Sequence, residues 1–67
     1  MNWISVSEKM PPKDNQTVLV ASKHYVEPVL GFFDRTNRRW CEQLDDMVID
    51  NVTHWAELPE MPEEALA

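Results

Sequence analysis

Apolar residues recur along this chain in short runs separated by turn-forming residues. Residues 3–6 (Trp3-Ile4-Ser5-Val6) alternate Trp3 and Ser5 against Ile4 and Val6, as a half-buried strand does. Residues 17–21 (Thr-Val-Leu-Val-Ala) are apolar on both parities, which predicts a central strand covered on both faces. Residues 26–34 and 38–43 read as the arms of a hairpin, with Thr36 and Asn37 supplying the turn and Asn37 its left-handed position. Pro28 cannot donate to a ladder, so the first arm starts there or runs along an edge. Residues 52–58 alternate Val52, His54, Ala56 and Leu58 against Thr53, Trp55 and Glu57, a last strand.

Between these runs, residues 11–15, 34–37, 45–46 and 59–62 carry the Pro, Asn and Asp that punctuate turns. Residues 7–10 fit one helical turn capped by Ser7 and ended by Pro11 and Pro12. No ordinary helix is called for. The pattern predicts a mainly β, or small α+β, fold: a compact twisted antiparallel sheet or open barrel of about four to five short strands. Residues 1–58 form one domain, and residues 59–67 a Pro- and Glu-rich tail without regular structure.

Length sharpens this picture. With 67 residues, one core rarely supplies more than about 3–5 kcal/mol, so the few large side chains carry the stability. The candidate core is Trp3, Ile4, Val18, Val20, Phe33, Val52, Trp55 and Leu58, with Trp3 near one terminus packing close to Trp55 near the other. Trp40 fits either the core or the surface.

Charge and cysteine content narrow the function. Twelve acidic residues against six basic give a net charge of −6, which disfavours direct binding to DNA or RNA. Cys41 is the only cysteine; it excludes an internal disulfide and suits a reducing cytoplasm. No run approaches the roughly 20 apolar residues of a membrane span, and the first residues lack a signal-peptide layout. The expected location is the cytoplasm.

Candidate chemistry is sparse. Gly31 is the single glycine, so a glycine-rich phosphate loop is absent. Cys41, His24 and His54 are too few for a tetrahedral zinc site, and no metal or other cofactor is expected. A Cys-His nucleophilic pair is formally available, but a free cysteine more often serves as a small buried hydrophobe. His54, at a core-facing parity, reads as structural. Asp45, Asp46, Asp50 and Asn51 form an acidic loop that lacks calcium-loop spacing and reads as solvated. Arg35, Arg38 and Arg39 cluster as a solvated hairpin tip or an anion contact. Arg38, Arg39 and Trp40 together are the candidate partner-binding patch.

The order of these pieces resembles a family. Trp3-Ile4-Ser5-Val6, Val18-Leu19-Val20, Gly31-Phe32-Phe33-Asp34, Trp40 and Val52-Thr53-His54-Trp55-Ala56-Glu57-Leu58-Pro59 follow the pattern of domain of unknown function 551. The chain departs from that pattern at Met10, commonly leucine, and at Ala56-Glu57, often methionine and proline. The resemblance implies a bacteriophage or prophage context and no assigned activity. With Met1 two residues before Trp3, this copy reads as free-standing.

The expected function is therefore that of a non-catalytic accessory module binding an unknown host or phage protein. One alternative is a self-associating structural domain, a homo-oligomer that offsets its small core. The other is an acidic mimic of nucleic acid occupying the basic groove of a defence or nucleic-acid enzyme.

Overall fold

The computed structural model describes residues 2–66. It is mainly β, as the pattern predicts, with six antiparallel strands: β1 (Ile4–Ser5), β2 (Val18–Ser22), β3 (Val29–Asp34), β4 (Arg39–Glu42), β5 (Val48–Ile49) and β6 (Val52–Ala56). They form one open sheet in the order β1-β6-β2-β3-β4-β5. β2 is central, and β3 begins directly after Pro28, where the missing N–H removes nothing from a ladder. β5 is an element the sequence pattern does not reveal, because two residues are too few to show a period.

The sheet curls. Asp50 and Asn51 alone join β5, at one end of the order, to β6, second from the other end. Three Cα steps span at most about 11 Å, whereas four strand spacings in a flat sheet would separate these strands by about 19 Å. The link closes only if the sheet bends toward a barrel. Ser22 Oγ fastens the closure, donating to the Asp50 carbonyl at 2.6 Å, and the Lys23 N–H donates to the Asn51 carbonyl at 3.1 Å. Asn51 adopts a φ of 57° there, a conformation Asn tolerates better than most residues.

Strand register assigns the concave face. Ile4, Trp55, Val20 and Val29 lie in one row across four strands, and Phe33, Trp40 and Ile49 in another. Val18, Val20, Trp40, Ile49 and Trp55 form the buried core, with Ile4, Val6, Met10, Val29, Phe33 and Val52 packed against it. The Phe33 and Trp40 rings meet edge to face at 5.3 Å between centroids, a favoured aromatic geometry.

A bulge explains how both Val52 and Trp55 reach this core although their spacing is odd. Ala21 pairs with His54, but Ser22 pairs with Val52, so Thr53 is one extra residue in β6. Strict alternation fails there, and His54, expected to face the core, lies on the exposed side.

The link from β1 to β2 crosses the concave side. Ser5, not Ser7, starts its turn: the Ser5 carbonyl accepts from the N–H groups of Glu8 and Lys9, and Ser5 Oγ accepts from the Ser7 N–H. Further along, Trp55 Nε1 donates to the Lys9 carbonyl at 2.8 Å and Arg35 Nη2 to the Pro11 carbonyl at 2.7 Å. These bonds hold Met10 and the buried Pro11 over the core.

Two expectations about large side chains are corrected, those for Trp3 and Leu58, and the open placement of Trp40 is decided. Trp40 is 7% exposed and belongs to the core, because it pairs with Phe33 and Ile49 on the concave face. Trp3 is 40% exposed, because it precedes the two-residue edge strand β1 on the opposite parity to Ile4. Leu58 is 41% exposed, since β6 ends at Ala56 and leaves it no strand face to share. The tail also contains regular structure, a single turn of helix α1 (Glu63–Leu66). Pro62 stands just before it, where a lost N–H costs nothing, and Glu63 and Glu64 suit its first turn.

Candidate functional site

The expected partner patch splits between surface and core. Arg38 and Arg39 are exposed at the β3–β4 turn, while Trp40 beside them points inward. The left-handed position in this turn is Arg38, with φ 53°, rather than Asn37. Asn37 is otherwise engaged: its N–H and Nδ2 both donate to the Asp34 carboxylate, which also accepts from the Thr36 N–H. The Asn37 side chain, opposed by partial desolvation and helped by these backbone donors and by Arg39, holds the Asp34 carboxyl below its ordinary range. Asp34 therefore organises a turn.

The groups that could support catalysis are not brought together. Cys41 is buried on the convex side of β4, with Phe32 and Val48 as its cross-strand neighbours. His24 Nε2 lies 2.6 Å from Asn51 Nδ2, and His54 Nδ1 lies 2.9 Å from Thr53 Oγ1. Among the described residues no group of three His, Cys, Asp or Glu is placed to hold a metal ion. Likewise, among them no helix is long and apolar enough to cross a membrane.

Among the described residues, three shallow concavities stand out. One, of about 580 Å³, is lined by Asn2, Ile4, Ala56, Glu57 and Pro59, beside the end of β6. A second, of about 240 Å³, lies between Trp3, Ala21 and His54 on the convex face. The third, of about 320 Å³, is lined by Val29, Leu30, Glu42, Leu44 and Asp45, where the start of β3 meets the β4–β5 hairpin. Only this last one combines an apolar floor with two carboxylates.

Local sequence builds the hairpin tightly. The Glu42 N–H donates to the Met47 carbonyl at 2.8 Å, and the Asp46 N–H returns to the Glu42 carbonyl at 3.1 Å. Asp46 takes a φ of 57°, and Asp45 Oδ1 accepts from the Met47 N–H at 3.2 Å. The acidic loop is thus a designed turn in which Asp residues supply backbone geometry. It leaves no strand face for Leu44 and Met47, which are 97% and 62% exposed, and Leu30 and Val48 beside them are also exposed.

From Glu42 to Asp50 the chain carries four carboxylates and no lysine or arginine. Partial desolvation of half-buried Glu42, then the like charge of Asp45 and a hydrogen bond with it, push the Glu42 carboxyl above its ordinary range. An ionised Glu42 therefore opposes folding at neutral pH. As pH falls through the raised value, the folded state takes up this proton first and the opposition is relieved. Glu42→Gln is expected to raise the denaturation midpoint at pH 7 and to lose that advantage below pH 4.5, the group's ordinary value. Asp34 has the reverse sign: its support is complete above its ordinary value of 3.8 and is lost as pH falls through the lowered one. Side-chain carboxyl shifts followed by NMR across acid pH distinguish the two.

The sequence pattern marks Asp45 and Asp46 as a solvated loop and gives Leu44, Met47 and Glu42 no distinct role. The available signal was a leucine and a methionine inside a turn, where neither serves a strand parity.

No curated protein and no solved structure matches the chain. A family described as protein of unknown function (DUF551) matches residues 2–63, from just before β1 to the first residue of α1. Because the match covers nearly the whole chain, this protein belongs to the DUF551 family of proteins of unknown function.

Proposed function

We propose that this chain is a non-catalytic protein-binding module, an accessory protein of bacteriophage or prophage kind acting on a host or phage protein in the bacterial cytoplasm. The observation that carries the reading is the β4–β5 hairpin, which leaves Leu44 almost wholly and Met47 largely exposed, with Leu44 at the Leu30 groove. Apolar side chains held out by a rigid turn lose little entropy on burial by a partner, which is how binding anchors act. The lone, buried Cys41 is compatible with a reducing compartment. The distribution of side chains favours a protein partner over mimicry of nucleic acid, because leucine and methionine interrupt the carboxylates.

A photo-crosslinking residue at position 44, with position 13 as the exposed control, tests this in bacterial lysate. The partner captured at 44 is then purified and its affinity measured. Leu44→Ser/Met47→Ser is expected to weaken binding by about tenfold or more, as loss of two apolar anchors does, with an unchanged melting temperature. Equal capture at position 13, or unchanged affinity of the double variant, would refute the reading.

A further inference from the structure

The groove at the β4–β5 hairpin has a mixed character that selects among protein side chains. Val29, Leu30 and Leu44 give it apolar walls, and Glu42 and Asp45 stand at the same opening. Glu42 and Asp45 share one opening, and the influences that raise the Glu42 carboxyl include the like charge of Asp45 and, among the described residues, no opposing cation. A ligand that brings a positive charge here relieves an existing repulsion and forms charge-assisted hydrogen bonds. One that also brings methylenes covers the exposed leucines.

We propose that this groove receives an arginine side chain from a partner protein, its methylene stem against Leu30 and Leu44 and its guanidinium between Glu42 and Asp45. The inference rests on the protein-binding reading of the hairpin and names the chemistry of the partner. Arginine suits the site because its planar fork presents several donors to two carboxylates at once, while its stem packs on apolar surface.

A second copy of this chain is a poorer occupant. Of its three arginines, Arg35 is already bonded to the Pro11 carbonyl and Arg39 lies beside Asp34, which leaves Arg38, exposed at the β3–β4 turn, as the remaining one. Two copies each carrying a net charge of −6 also repel one another.

The test titrates the full, isotope-labelled chain with a short capped peptide holding one central arginine flanked by leucines. A second peptide has citrulline, uncharged but nearly isosteric, in place of the arginine. Amide shifts are expected at Leu30, Glu42, Leu44 and Asp45 and to saturate, with the citrulline peptide about tenfold or more weaker, the scale of one charge-assisted hydrogen bond. Glu42→Gln/Asp45→Asn is expected to weaken the arginine peptide by a similar factor, with amide shifts in β2 and β6 unchanged. Equal binding of the two peptides, shifts confined to another surface, or no binding would overturn the assignment. Shifts at the same residues on concentrating the free protein would assign the groove to a second copy instead.

Failure here is separable from failure of the wider reading. If the arginine peptide does not bind while the crosslinked partner still depends on Leu44 and Met47, the surface stands and the arginine assignment falls. If the partner is indifferent to both substitutions, both fall.

Discussion

Trp55→Ala is expected to leave the chain mostly unfolded at 25 °C. Trp55 is among the largest fully buried side chains, lies in the row formed by Ile4, Val20 and Val29, and holds the Lys9 carbonyl through Nε1. Truncating a buried tryptophan costs about 3–5 kcal/mol, and a core of this size supplies about the same. Loss of dispersion in the amide NMR spectrum and a broad, early urea transition would show it. Trp55→Phe separates packing from bonding: it keeps a ring but orphans the Lys9 carbonyl, and is expected to cost about 1–3 kcal/mol. A Trp55→Ala chain that unfolds cooperatively near the wild-type midpoint would show that the crossing link and the core are not coupled through this residue.

Gly31→Ala is the second large effect, and its sign is opposite to the usual one. At an unstrained position this change stabilises by about 0.4–1 kcal/mol, because alanine restricts the unfolded chain. Gly31 has no positive φ, so its backbone would accept alanine. Space forbids it. A Cβ would stand 2.7 Å from the Cys41 carbonyl oxygen, 3.1 Å from Val20 Cγ2 and 3.3 Å from Ile49 Cδ1. The first neighbour is backbone in the adjacent strand β4, so relief requires β3 and β4 to shift. Overpacking of this kind costs about 1–3 kcal/mol, which outweighs the entropic gain. Equilibrium urea unfolding is expected to show a lower midpoint with an unchanged slope; a raised midpoint would mean that the strands yield freely.

These residues also show where sequence reading reached its limit. Val18 and Val20 are legible as core because residues 18–21 of β2 are apolar on both parities and β2 lies in the sheet centre, where register errors change little. Trp3 and Trp40, unlike Trp55, are not legible, since one residue of register decides which face a side chain joins. Trp40 joins the core through pairing with Phe33 and Ile49, and Ile49 sits in a strand too short to recognise. Trp3 falls outside because β1 contains only Ile4 and Ser5. Val52 and Trp55 share a face only because Thr53 is bulged out, and a bulge leaves no mark in alternation except its failure.

The candidate site was legible only in pieces. Asp45 and Asp46 announce a turn, and their charge suggests a solvated one. What gives the hairpin its groove is Leu30, brought alongside by the β3–β4 ladder from twelve residues before Glu42. No local pattern contains that adjacency.

By itself the amino-acid sequence determined the β class, a central strand over residues 17–21, the main turns and the absence of room for a long helix. Each of these follows from nearest-neighbour preferences: branched and aromatic residues favour extended chain, and Pro, Asn and Asp interrupt it. Only the tertiary structure decided the curl of the sheet, the choice of Trp40 over Trp3 for the core, the need for Gly31, and the groove between Leu30 and Asp45. Those depend on register and closure among strands distant in the chain, where the two-residue link at Asp50–Asn51 and the bulge at Thr53 set which side chains meet.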